Sequence, residues 1–278
     1  MSSPELRPAR LVALARAAFR RGGLQTPPAA QRAWRAGLVL WLAVMITTPI
    51  AVWTIGPQAF PPMAILGVLA HASATSIPVV TDWGWNRWLQ LLLPLVVAIW
   101  LIEWIGTQTG LPFGSYHYTP ELQPQVWGIP LSVTLAWYML LVPAWSVARS
   151  IVPRPTGAGN WLFAAVAATA FTAWDLYLDP QMVARGLWVW DSPGAYFGVP
   201  LLNYAGWWLV SFTLSLIMRP RDLPGLPLLA IYTLTWLFQG LALGVFWGQP
   251  GPALCGFMAM GFFAVLAWRA EARAWSPG

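Results

Sequence analysis

Five of the nine acidic residues, Glu103, Glu121, Asp175, Asp179 and Asp191, gather in two stretches of the chain. Asp175 and Asp179 stand four apart in Trp174-Asp175-Leu176-Tyr177-Leu178-Asp179-Pro180. On a helix that spacing puts both carboxyls on one face, within reach of each other. Two carboxyls so placed in a dry site share a proton, which makes a general acid–base pair at neutral pH. Glu103 lies, like them, at the end of an apolar run. A carboxylate in hydrocarbon costs about 2.5–3.5 kcal/mol on insertion scales, so it should face a polar cavity or a partner. The plainer alternative is that all three are interfacial acids paired with Arg185 or a loop amide. Glu121, in a Pro-rich loop, reads as solvated. Pro180 is expected to end its helix at Asp179.

Aromatic residues crowd around these acids. Tyr116, His117 and Tyr118 follow Glu103; Trp174 precedes Asp175; Trp188 and Trp190 follow Asp179. They could supply hydrogen bonds and ring faces for a cation. With 21 Trp in the chain, most must instead be interfacial belt or packing residues. Asn203 is a candidate polar group in the same cavity. His71, in mid-span among Ala and Ser, reads as a packed, hydrogen-bonded side chain. The single Cys255, in an apolar run, reads as a small core residue and excludes an intramolecular disulfide. No P-loop, dinucleotide glycine pattern, zincin motif or His cluster occurs, so neither a metal nor a cofactor is implied.

What positions these residues follows from composition. The 278 residues are 58% hydrophobic and 9% charged, with mean hydropathy +0.59. A soluble domain carries about 25% charged residues. That contrast excludes a soluble globular enzyme, a disordered chain and a nucleic-acid binder, and leaves an all-α polytopic membrane bundle. Apolar segments at 36–55, 60–81, 88–105, 127–148, 160–178, 199–218, 225–247 and 253–268 predict about eight spans. They divide the chain into a basic N-terminal segment 1–35, one transmembrane domain 36–268 and a tail 269–278. Residues 8–21 suit either a short basic helix on the membrane surface or a solvated tail. All fifteen basic residues are Arg, and the formal net charge is +6. With the N- and C-termini inside, fourteen of them fall on the cytoplasmic side and only Arg185 outside. The basicity is therefore an orientation signal. It puts the two long connections, 106–126 and 179–198, on the outer face of the cell membrane.

The chain also echoes itself. Glu103 precedes Gly110-Leu111 by seven residues, as Asp179 precedes Gly186-Leu187. Trp127-Gly128-Ile129-Pro130-Leu131 is followed by Trp137, as Phe197-Gly198-Val199-Pro200-Leu201 is by Trp207. Spans three and four would then repeat as spans five and six, in parallel. Membrane folds of this kind often place their site between the repeats.

The region 100–210 resembles the bacterial and haloarchaeal carotenoid 1′,2′-hydratase family of membrane proteins. The matching text is Glu103-Trp104-Ile105-Gly106, the run Gly110 to Tyr118, Gly128-Ile129-Pro130, the run Trp174 to Pro180, Trp188-Val189-Trp190, Tyr196 to Pro200 and Asn203 to Trp207. Gln123 departs from the glycine expected there. The resemblance implies addition of water to the terminal C1′=C2′ double bond of an acyclic carotenoid end group, without a cofactor. It implies a lycopene-like or monocyclic carotene as substrate, and contact with other membrane enzymes of the pathway. Such a reaction needs an acid that protonates carbon, a pocket that tolerates a tertiary cation, and a base for one water. Asp175 or Asp179 would donate the proton, and the other acid of the pair or Glu103 would orient the water. Tyr116, Tyr118, Trp174, Trp188 and Trp190 would line the pocket, with His117 and Asn203 as polar supports.

Three rivals share these residues. A proton-initiated carotenoid cyclase uses the same acid but must exclude water. A membrane prenyltransferase holds Mg²⁺ and a diphosphate on aspartate pairs, yet needs more than one such motif. A proton-coupled transporter also uses paired membrane acids.

Overall fold

In the computed structural model the described residues are 28–153, 156–218, 220 and 222–275. The predicted surface segment 8–21 and Arg154, Arg219 and Arg221 lie outside them. Among the described residues, seven helices are long and apolar enough to cross a membrane. They are α1 (Pro28–Ile55), α2 (Phe60–Thr109), α3 (Leu131–Ile151), α4 (Ala158–Ala184), α5 (Leu201–Met218), α6 (Gly225–Leu241) and α7 (Pro250–Trp275).

The fifty residues of α2 would run about 75 Å if straight, more than twice the hydrocarbon thickness of a bilayer. They do not run straight. Gly84 takes φ 77° and ψ 165°, a left-handed, non-helical conformation that glycine adopts without penalty. Ser76 Oγ and Trp88 Nε1 both meet the Tyr138 hydroxyl, each at 2.9 Å. On a straight helix those two residues would sit about 18 Å apart. The chain therefore reverses at Gly84 into limbs 60–83 and 85–109. Seven helices make eight passes, the number the hydropathy predicts.

Helix α3 is the hub, buried along nearly its whole length against α2, α4, α6 and α7. Helix α1 lies at the edge, packed on α2. One end of the bundle collects charge. There Arg87 pairs with Asp222 at 3.8 Å, the Trp83 indole donates to the Asp222 carbonyl, and Ser150 bonds Glu271 at 2.7 Å. The other end carries the two long connections, joined by strand β1 (Tyr116–Tyr118) pairing antiparallel with β4 (Trp188–Trp190). The short strands β2 (Gln125–Val126) and β3 (Ile129–Pro130) form a turn within the first connection.

The repeat seen in sequence recurs in backbone geometry. Gly110 and Gly186 are both left-handed, as are Trp127 and Phe197, and Gly128 and Gly198. Val126 bridges Ile129, and their counterparts Tyr196 and Val199 bridge in the same way. Trp137 and Trp207 stack on each other with centroids 4.2 Å apart, where the two units meet. Because the left-handed turns occupy 127–130 and 197–200, α3 starts at Leu131, later than the apolar run suggests, and α5 starts at Leu201.

Two expectations are corrected. Pro180 does not end α4, which continues to Ala184. Proline removes the N–H that would bond the Leu176 carbonyl. The Tyr196 hydroxyl donates to that carbonyl instead, at 3.2 Å, so the helix passes through. Cys255 is not a core residue but exposed on the side of α7.

Candidate active site

The end of limb 85–109 and the end of α4 bring Glu103 and Asp179 to one cavity of about 260 Å³. Both are almost fully buried. The two carboxyls are dressed differently. Glu103 accepts from the Tyr116 hydroxyl at 2.5 Å, the Tyr118 hydroxyl at 2.8 Å and the Trp137 indole at 3.0 Å. Strand β1 explains the first two, since alternate residues point the same way. Burial and the charge of Glu103 push both phenols well above their ordinary range. They therefore stay protonated and remain donors.

Asp179 accepts from the Trp188 indole at 3.1 Å and from the Asn203 amide. The same amide reaches Asp175 at 2.9 Å. Asn203 thus ties the i, i+4 carboxyls together, as their helical spacing allows. They are not equivalent: Asp179 lines the cavity, while Asp175 lies one layer behind it. The second Asp175 oxygen, Oδ1, is buried without a hydrogen-bond partner.

The walls are aromatic. Trp137 and Trp207 stack on each other, Phe171 backs both at 5.0 and 5.2 Å, and Trp174 stands edge-on to Trp207. Trp190 packs 5.0 Å from the Tyr116 ring, and Trp188 lies edge-on to Tyr118. Tyr116, Tyr118, Trp174, Trp188 and Trp190 all line this cavity, and so does Asn203. His117 does not. It occupies the outward-facing position of β1, and its 62% exposed side chain sits 3.8 Å from the equally exposed Asp191. Arg185 meets neither buried acid. Its guanidinium lies over the rings of Phe60 and Trp247, at 3.8 and 4.2 Å.

His71, Gln181, Ser132 and Trp137 were not assigned to this cavity from sequence, and His71, expected to be hydrogen-bonded, is not so at Nε2. His71 stacks on Trp41 with centroids 4.3 Å apart, and its buried Nε2 has no partner. Gln181 and Ser132 line the cavity with a buried, unpartnered oxygen each. Trp137 holds Glu103. Gln181 could have been found, because it follows Asp179 on the same helix. His71 and Trp137 come from other spans, where only tertiary structure brings them in.

These features define a polytopic membrane protein with three buried acids, two of which line an aromatic-walled, largely apolar cavity. The model of a family described as carotenoid biosynthesis protein matches residues 63–263. The chain belongs to that family. It is similar to a bisanhydrobacterioruberin hydratase of Haloarcula japonica, at 31% identity over 119 residues. That match spans 42% of this chain and 40% of the relative, so it covers less than half of either. No solved structure matches the chain.

Proposed function

We propose that the protein is a membrane carotenoid hydratase that adds water across the terminal C1′=C2′ bond of an acyclic end group. The observation that carries this is the pair of differently dressed acids, Glu103 and Asp179, on one aromatic-walled cavity. Family membership and the similarity to a hydratase support it.

The steps follow from the hydrogen bonds. Asp175 and Asp179, tied by Asn203, carry one proton between them. Asp179 faces the cavity and delivers that proton to C2′. The positive charge appears at C1′, where two methyl groups and the faces of Trp137, Trp174 and Trp207 stabilise it. Water attacks C1′ and loses its proton to Glu103. Three donors and no acceptor hold Glu103 as a hydrogen-bond acceptor, which suits a base. The cycle closes when the proton taken up by Glu103 returns to Asp179, which lines the same cavity. The sum is one water added and no redox change. The arginine distribution supports a site at the outer side of the cell membrane.

Expression in cells that accumulate lycopene or a monocyclic carotene tests the reading. A product heavier by one water is expected. An inserted, folded protein that leaves the carotenoid unchanged would sink it, and ring formation without a change in mass would select a cyclase.

A further inference from the structure

We infer that the polyene reaches the acids sideways from the bilayer, through a mouth between α1 and α6, and that only one end of it enters. This rests on the hydratase reading, and the geometry adds the route. At the loop end, β1 and β4 pair across the cavity, and Arg185 lies over Phe60 and Trp247. Deeper in, the Trp41–His71 stack and Thr235 form its wall. The side is different. Ile46 of α1 and Leu241 of α6 both line the cavity, yet are 53% and 50% exposed. A side chain that lines a cavity and is also half exposed marks its mouth.

Helix packing explains the gap. Helix α1 rests on α2, while α6 packs on α3 and α7. Trp53 of α1 and Phe246, in the π-turn after α6, touch edge to face at 5.3 Å and form the rim toward the loop end. The mouth opens within the apolar stretches of both helices, so it faces hydrocarbon rather than water.

Size limits what passes. Sites that enclose a drug-sized ligand run about 300–1,000 Å³. A tetraterpene is larger than such a ligand, and the cavity is about 260 Å³. An end group fits beside the acids, while the rest of the chain trails out among the acyl chains. The protein therefore reads one end group and is blind to the far end. A symmetric carotenoid is hydrated at its two ends in separate visits.

The test measures binding apart from turnover. The full chain is placed in lipid vesicles, and an acyclic tetraterpene is followed by the circular dichroism of its visible band. Ile46→Trp/Leu241→Trp, which fills the mouth, is expected to weaken binding about tenfold or more. Ile217→Trp, on the 70% exposed side of α5, should bind within about threefold of the parent. Polyenes with one acyclic end and a bulky cap at the other should bind equally well. The inference is overturned if the filled mouth binds like the parent, if capped polyenes fail to bind, or if the parent binds no polyene. Hydration is measured on the same samples. Polyene bound through this mouth but never hydrated would remove the hydratase reading and leave the route standing.

Discussion

The two repeated units share one backbone and differ at the carboxyl. In the first, Glu103 takes three hydrogen bonds from phenols and an indole. In the second, Asp179 shares an amide with Asp175. The counterparts explain the difference. Where the second unit has Asp175 and Asn203, the repeat register puts Ile99 and Val133 in the first, both buried. Two polar-for-apolar differences thus separate a lone, fully donated carboxyl from a proton-sharing pair. A repeated scaffold supplies two acids on one cavity, and the differences at these positions match the opposite tasks proposed for them.

The comparison breaks first at the cavity-facing acids. Asp179→Asn keeps shape but removes the proton, and the rate of hydration is expected to fall about 10²–10⁴-fold, the usual range for a lost general acid. Glu103→Gln should fall within the same range. It removes the proposed base and also turns an amide N–H toward at least one existing donor. Initial rates of hydrated product in membranes, normalised to inserted protein, check both. If either variant keeps more than half the activity, the division of labour between the units is wrong.

A smaller effect sharpens the contrast. Asp175→Asn leaves Asp179 facing the cavity but takes away the group with which it shares a proton. A loss of about ten- to a hundredfold is expected. Asp175→Ile/Asn203→Val, which makes the second unit resemble the first, should cost at least as much while the protein remains folded. Equal activity in the double variant and the parent would show that Asp175 is only a packing group. Next comes Tyr118→Phe, which removes one hydrogen bond to a charged group. Such bonds are worth about 1.5–3 kcal/mol, so kcat should drop roughly ten- to a hundredfold. Tyr116→Phe should lose at least as much, because its hydroxyl makes the shorter bond to Glu103, 2.5 Å against 2.8 Å.

How much of this was legible in the chain depends on the range of the forces involved. Spans, their number and the repeat are local patterns: hydropathy over twenty residues, and Gly and Pro at fixed offsets. Even the reversal at Gly84 fell between two apolar runs already read as separate. The acids were legible because a carboxyl in an apolar run needs a reason. The errors came from long-range contacts. Pro180 is a helix breaker by local rules, and only Tyr196, sixteen residues on, satisfies the carbonyl it frees. Asp175 and Asp179 share a helical face, but which one meets the cavity depends on the seat of Asn203 in α5. His71 reads as a packing residue until Trp41 and the cavity are in place.

His117 tests the same lesson at the smallest scale. Nearness in sequence to Glu103 made it a candidate beside Tyr116 and Tyr118. A strand, however, sends neighbours to opposite faces. With Tyr116 and Tyr118 turned inward to Glu103, His117 must turn outward, and it lies on the surface beside Asp191. An exposed pair of this kind contributes about 0–1 kcal/mol. His117→Ala should therefore leave the hydration rate within about twofold of the parent and the melting temperature nearly unchanged. A large loss of activity from this one substitution would mean that β1 turns over to present its other face, and the assignment of Tyr116 and Tyr118 to Glu103 would fall with it.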